Sequence, residues 1–159
     1  MDQCGKALRQ QTSATWILEG DIEGFFDHIA FSWIEDHTPM NKRLLAKWLR
    51  CGFIDRGTLY PTTAGVPQGG IISPVISNLG LDGLATVVQG SPGHRRVHNI
   101  NYVRWADDFI VTANSQQVLA EDILPRIAAF LADRGVRLST EKTVITPISQ
   151  GFDFLESVF

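Results

Sequence analysis

Cysteine is scarce in this chain: Cys4 and Cys51 are the only two among 159 residues. They stand far apart, with no Cys or His partner at zinc-ligand spacing, so the expectation is reduced structural thiols rather than a disulfide or a metal knot. Long apolar runs are missing as well. None approaches the ~20 residues that a membrane-spanning helix needs, and the N-terminus carries no signal-peptide core. A cytoplasmic protein with no membrane partner is expected. Positive charge is in deficit, with 14 Lys and Arg against 17 Asp and Glu and a formal net charge of −3. That sits awkwardly with a nucleic-acid partner, whose binders usually show a basic footprint. No internal repeat and no low-complexity segment interrupts the chain.

What is present is a globular composition, 44% hydrophobic and 19% charged. At this length it is about one domain with a real core. The stretch that organises the reading is Asn101-Tyr102-Val103-Arg104-Trp105-Ala106-Asp107-Asp108-Phe109-Ile110-Val111, where two adjacent acids interrupt an apolar strand pattern. Neighbouring strand side chains point to opposite faces, so both acids can serve one site only near a hairpin tip, at Trp105 to Asp107. Acids crowded beside apolar flanks repel unless a cation lies between them. A metal site and an ordinary acidic β-turn both fit this segment.

Upstream, residues 1 to 13 are polar and without period, and resemble the tail of an element. Thr15-Trp16-Ile17-Leu18 is a short strand running into Glu19-Gly20-Asp21, which puts Asp21 at a strand end. Phe25 and Phe26 either close over whatever Asp21 binds or belong to the core. From Phe31 to Gly52 the period is helical, with Leu44, Leu45, Trp48 and Leu49 on one face. Arg43, Lys47 and Arg50 form a basic row opposite, either solvated or in contact with phosphate. Phe53 to Ala64 is a hairpin or extended loop turning at Asp55-Arg56-Gly57. It feeds Gly65-Val66-Pro67-Gln68-Gly69-Gly70, which is either a ligand-approaching loop or a plain connector. Ser73 as N-cap and Pro74 at N1 begin a helix through Val75, Ile76, Leu79 and Leu84.

Gln89 to His94 is a Gly/Pro/Ser loop, and His94-Arg95-Arg96-Val97-His98 is a small basic cluster, a solvated loop or a phosphate contact. Gln116 to Arg134 is helical, with Val118, Leu124, Ile127, Ala128 and Leu131 as its buried stripe and Pro125 dividing or kinking it. Gly135 suits its C′ position. Val136-Arg137-Leu138-Ser139, Thr143-Val144-Ile145-Thr146 and Gly151 to Leu155 are candidate strands. The economical arrangement is α+β, an antiparallel sheet with helices packed on one face.

Five segments in this order resemble reverse transcriptases, most closely the group II intron reverse transcriptase/maturase type. They are Leu18 to Ile29, Thr63 to Pro74, Tyr102 to Phe109, Gly135 to Thr143, and Phe152 to Leu155. They cover nearly all of the chain from about residue 15 and are specific as a set. The resemblance implies a polymerase palm over residues 15–159, including a fingers-palm loop at 53–73. It also implies a remnant of fingers or connector at residues 1–14, and a chain cut at the start of the primer grip. Fingers and thumb, which carry most phosphate contacts, would then be largely absent, which accounts for the acidic balance. Little or no polymerisation by the 159 residues alone is expected on that ground.

The resemblance further implies a cofactor of two Mg²⁺ ions bridged by Asp21 and Asp107, with Asp108 supporting and the backbone carbonyl of Ile22 also reaching a metal. Phe26 matches the aromatic under the nucleotide sugar that rejects a 2′-hydroxyl. Pro67, Gln68 and Gly69 match the loop against the incoming nucleotide. Lys142 matches a lysine near the leaving pyrophosphate, with a surface lysine as the alternative. Trp105 and Ala106 flank the primer terminus, and Trp105 stands where Tyr or Phe is usual. Glu156 stands where glycine is expected after Phe154-Leu155. The implied partners are an RNA template, a DNA primer and dNTPs, with intron RNA for the parent protein. A non-catalytic RNA-binding or splicing-assisting fragment is the rival reading, and a nucleotide cyclase a weaker third.

Overall fold

The computed structural model describes residues 14–66, 73–151, 153–154 and 157–158. Its centre is an antiparallel four-stranded sheet ordered β4-β5-β1-β6, formed by β1 (Trp16–Gly20), β4 (Asn101–Trp105), β5 (Asp108–Ala113) and β6 (Val144–Pro147). β1 and β5 pair from Trp16 opposite Ala113 to Gly20 opposite Phe109. Alternation divides the strands between two faces. Leu18, Phe109, Val111 and Ala113 join the main core under the helices, whereas Ile17 and Ile110 make a small second cluster with Val103 and Ile148. The helices therefore cover one face, the α+β arrangement that the alternation of segments implies.

After β1 the chain makes a short helix α1 (Phe25–His28), then α2 (Phe31–His37) and α3 (Lys42–Leu49). The helical stretch expected over Phe31 to Gly52 is thus two helices. Asn41 separates them by capping α3, its side-chain oxygen accepting from the Arg43 and Leu44 amides. The expected apolar face of α3 is only half buried, because Leu45 and Leu49 enter the core while Leu44 and Trp48 stay exposed. The hairpin β2 (Phe53–Asp55) and β3 (Thr58–Tyr60) forms as expected. Arg56 and Gly57 both take positive φ at its tip, at 47° and 82°, the combination that matches strand twist in a two-residue turn.

Ser73 is the first residue of α4 (Ser73–Leu81), and Leu84 opens a separate α5 (Leu84–Gln89) across Gly83 at φ 85°. The single helix expected there is broken by that left-handed glycine. The Gly/Pro/Ser loop and basic cluster expected from Gln89 to His98 are corrected too. Ser91 caps a short helix α6 (Pro92–His98) by accepting from the His94 amide, with Pro92 at its first position. Pro125 divides the next helical segment as expected, leaving a wide-turned stretch Val118–Ile123 before α7 (Leu124–Ala132). The wide turn shifts the phase, so Leu119, Ile123, Ile127 and Leu131 are the fully buried row and Ala128 is exposed. Of the strand expected at Val136 to Ser139 only a single bridge, Ile22 to Leu138, forms. Asp153–Phe154 and Ser157–Val158 pair as β7 and β8; Phe152, Leu155 and Glu156 lie outside the described residues, as do Cys4 and residues 1–13. No helix among the described residues is long and apolar enough to cross a membrane.

One polar atom in the sheet makes a stability prediction. The Tyr102 ring packs on Phe109 at 6.0 Å between centroids, and its hydroxyl is buried without a hydrogen-bond partner among the described residues. Burial pushes that phenol up to about 12. Replacing a buried hydroxyl that lacks a partner with hydrogen removes a desolvation cost. Tyr102→Phe should therefore raise Tm by about 2–4 °C, read by differential scanning calorimetry, for about 1 kcal/mol gained.

Candidate active site

The β4–β5 hairpin closes on a Trp105–Asp108 pair, which leaves Ala106 and Asp107 as the two tip residues. Ala106 sits at φ 55°, a left-handed conformation that costs an L-residue roughly 1–2 kcal/mol. Arg104 holds it there. Its Nη1 donates to the Ala106 carbonyl at 2.6 Å, and its Nη2 donates to Asn78 Oδ1 on α4 at 3.1 Å. The tip that carries Asp107 is thus tied both to its own strand and to a helix across the core.

Asp21 follows directly on β1, whose last residue Gly20 lies opposite Phe109. A Cβ at Gly20 would overlap the Phe109 ring, so glycine is required for the aromatic to cross the strand end beside the acids. The Asp21 carbonyl accepts from the Ser139 amide at 2.8 Å and the Glu23 amide donates to the Arg137 carbonyl at 2.9 Å. These two bonds flank the Ile22–Leu138 bridge. In that antiparallel pattern the carbonyl of Ile22 faces away from the Arg137–Ser139 segment, while its side chain is buried in the core. Glu23 and Arg137 reinforce the pairing through a forked ion pair of 2.7 and 3.0 Å, and that hydrogen bond holds the Glu23 carboxyl below its ordinary range.

Asp21, Asp107, the Ile22 segment, Phe26 and Lys142 all line one cleft of about 620 Å³. Lys142 Nζ lies 3.5 Å from Asp21 Oδ1. The turn that carries it is shaped by the Ser139 hydroxyl, which accepts from the Lys142 amide at 3.3 Å. Asp108 begins β5 with an exposed side chain. Its carboxyl is pushed up first by partial desolvation and then by the charges of Asp107 and Asp21, with Lys142 opposing. The three acids are therefore electrostatically coupled. Among the described residues, no three His, Cys, Asp or Glu side chains gather into a ready ion cage. That is compatible with Mg²⁺, which is commonly held by one or two carboxylates completed by water and substrate phosphates. The donor set fits the ion: hard carboxylate oxygens that repel one another, with a backbone carbonyl beside them.

Both paired aromatics border the cleft, but Phe25 is buried in the core whereas Phe26, meeting it edge to face at 5.7 Å, is only partly buried. The Val66 amide donates to the Phe26 carbonyl at 2.6 Å and the Gly65 amide to the Ile29 carbonyl at 3.0 Å. The chain thus enters the segment containing Pro67, Gln68 and Gly69 directly beside Phe26; those three residues lie outside the described ones. Trp105 is 65% exposed, so its ring faces solvent next to the tip and not the core.

Arg104, Asn78 and the Glu23–Arg137 pair are the residues that sequence reasoning did not single out. Only the structure reveals that Ala106 needs a positive φ, and hence that Arg104 has a task. Arg104→Ala should leave the Tm within about 2 °C, as a substitution at a largely solvated side chain. Losing two charge-assisted hydrogen bonds that hold the Asp107 turn should weaken Mg²⁺ binding by roughly 10- to 100-fold. Isothermal titration with Mg²⁺ checks it, and Arg104→Lys, which cannot form the fork, should restore only part of the loss.

The chain belongs to the reverse transcriptase family, described as reverse transcriptase (RNA-dependent DNA polymerase), which matches residues 1–156. Among curated relatives it is 26% identical to the group II intron-encoded protein LtrA of Lactococcus lactis subsp. cremoris, across 92% of this chain and 35% of that protein. It is 28% identical to protein YkfC of Escherichia coli strain K12, across 91% of this chain and 47% of that one. The chain thus spans between a third and a half of these relatives' length. Among solved structures, telomerase from Candida albicans, in complex with a fragment of telomeric RNA, superposes with a TM-score of 0.62 at 15% identity, covering 89% of this chain and 28% of its own. That likeness concerns the fold: the mixed helical and antiparallel-sheet palm expected from the sequence.

Proposed function

We propose that this chain is the catalytic palm of a group II intron-type reverse transcriptase, joining dNTPs to a DNA primer on an RNA template. The observation that carries the reading is the shared cleft, where Asp21 from a strand end and Asp107 from a hairpin tip meet Lys142 and Phe26. Two Mg²⁺ ions bound there would supply activation of the primer 3′-oxygen and charge stabilisation of the leaving pyrophosphate. Asp21, Asp107 and the Ile22 carbonyl would hold them, with Asp108 supporting.

The other residues have separate tasks. Lys142, whose ammonium reaches Asp21, is suited to stabilise charge on the pyrophosphate or to donate a proton to it. Phe26 under the sugar leaves no room for a 2′-hydroxyl. Pro67, Gln68 and Gly69, which follow the Val66 anchor on Phe26, would meet the sugar-phosphate side of the nucleotide. Trp105 and Ala106 would flank the primer terminus.

The test is primer extension on RNA and DNA templates with the complete reading frame that carries this chain, at increasing Mg²⁺. Extension on RNA that requires both dNTPs and Mg²⁺ is expected. RNA binding without any extension, at any Mg²⁺ concentration, would leave the splicing-assisting reading in its place.

A further inference from the structure

The helix α6 carries two arginines for which the cleft chemistry has no use. From their setting we infer a second nucleic-acid contact: Arg95 and Arg96 form a phosphodiester-binding site at the opposite end of β4 from the catalytic tip. They line a separate concavity of about 420 Å³ with Gln89, Asn99 and Asn101, and no acid is among its lining residues. In a chain of net charge −3 that is a local reversal of sign. β4 runs from Asn101 to Trp105, so at ~3.4 Å per residue the concavity lies about 14 Å along the edge strand from the hairpin tip.

Arg50, Arg126, Arg134 and Arg137 each have a carboxylate partner, whereas Arg95 and Arg96, like Arg43, Arg56 and Arg104, have none among the described residues; what sets the pair apart is the acid-free concavity they share. Their helix also has a polar contact on its inner side. His94 Nε2 meets Asp122 Oδ2 at 2.9 Å, and Asp122 is held in turn by Arg126 at 2.6 Å. With His94 facing that anchor, the next two residues fall on the outer side of the helix. The carbonyls at the end of α6, which would repel an anion, are already engaged: Arg95 O accepts from the Ile100 amide, Val97 O from Asn114 Nδ2, and His98 O from the Asn114 amide, each at 3.0 Å. The guanidinium groups are therefore presented on a platform whose negative end is covered, the arrangement suited to bidentate phosphate recognition.

Phosphate contacts do not read the sugar, so RNA and DNA strands share this chemistry. The test measures fluorescence anisotropy of a labelled RNA hairpin and of the DNA of the same sequence, each titrated with the full chain from 50 to 200 mM salt. Arg95→Gln/Arg96→Gln should weaken both probes about tenfold or more and lower the slope of log K against log salt by about 1.5. The reference is Arg43→Gln/Lys47→Gln on α3, which removes the same charge from another face. An equal loss in that reference would mean bulk charge alone and would overturn the site, as would an unchanged affinity in the arginine variant. Inorganic phosphate is the third probe. Saturation by free phosphate at micromolar concentration would make the ligand a small anion and also overturn the proposal. Primer extension by the complete protein is scored separately: absent extension with arginine-dependent binding intact fails the cleft reading alone, and unchanged binding in the arginine variant fails this one alone, so the two failures are distinguishable.

Discussion

In the complete protein that carries this chain, Asp107→Asn should reduce primer extension by at least 10³-fold while the protein keeps its fold and its hold on RNA. Asparagine preserves the shape and the turn preference of aspartate, so the hairpin tip closes as before. What it removes is one of the four carboxylates, with Asp21, Glu23 and Glu141, that line the cleft beside Lys142, and on the proposed reading it is one of the two that would anchor the catalytic cations. Thermal stability should stay level or rise slightly, because Asp107 is one of the charges that push Asp108 up. Single-turnover extension and a melting curve of the same preparation check both halves. Splicing of an intron substrate by the complete protein supplies the third readout, and a variant that loses extension but still splices separates the two roles assigned to this class of protein. A variant that loses splicing to the same degree points to a folding fault instead.

Gly65→Ala is expected to have the largest effect on stability. Gly65 sits at φ 72° against α1, and a Cβ there would overlap the Phe26 carbonyl oxygen and lie 2.6 Å from the carbonyl carbon and oxygen of Asp27. These are backbone atoms, and they cannot swing aside as a side chain would. The left-handed conformation adds roughly 1–2 kcal/mol for any L-residue. Relief requires pulling the segment leading to Pro67 away from Phe26, which breaks the hydrogen bonds from the Val66 amide to Phe26 and from the Gly65 amide to Ile29. A loss of about 2–4 kcal/mol and a fall in Tm of roughly 5–12 °C should follow. At a temperature where the variant is still folded, KM for dNTP of the complete protein should rise more than its kcat falls, since the segment proposed to meet the nucleotide follows the anchor that is lost. Gly57→Ala, also at positive φ but with open space around it, separates backbone strain from clash and should cost only the smaller part.

The sheet and the acids were legible in the sequence because both rest on short-range rules. Strand-forming residue types marked β1 and an apolar pattern marked β5, and adjacent acids in an apolar strand could share a site only at a tip, which is where Ala106 and Asp107 stand. The resemblance then joined Asp21, Phe26 and Lys142 to them, and the structure brings all three into the Asp107 cleft. Helix boundaries were less legible. Asn41 and Gly83 each end or begin a helix through one residue's backbone or cap, and a helical period of apolar residues runs straight past both. The buried row of the Pro125 segment was legible in part: Ile127 and Leu131 are buried and Val118 and Leu124 pack against the core as expected, but Leu119 and Ile123 in the wide-turned stretch escaped a 3.6-residue template. Least legible was Arg104, since its role depends on a positive φ two residues later at a non-glycine position, which nothing in Val103-Arg104-Trp105 announces.

The sheet order also bears on how the two candidate carboxylates are spaced along the backbone. Asp21 leaves β1 just beyond the Gly20–Phe109 pair, and Asp107 precedes β5 on the adjoining strand. Hydrogen-bonded neighbours lie about 4.8 Å apart wherever they occur. The separation of these two backbone positions is thus set by the ladder itself and not by any side-chain packing. Helices above the sheet can drift in sequence and length, as identities near 26% to relatives permit, without altering that spacing; a bulge inserted into β1 or β5 could not.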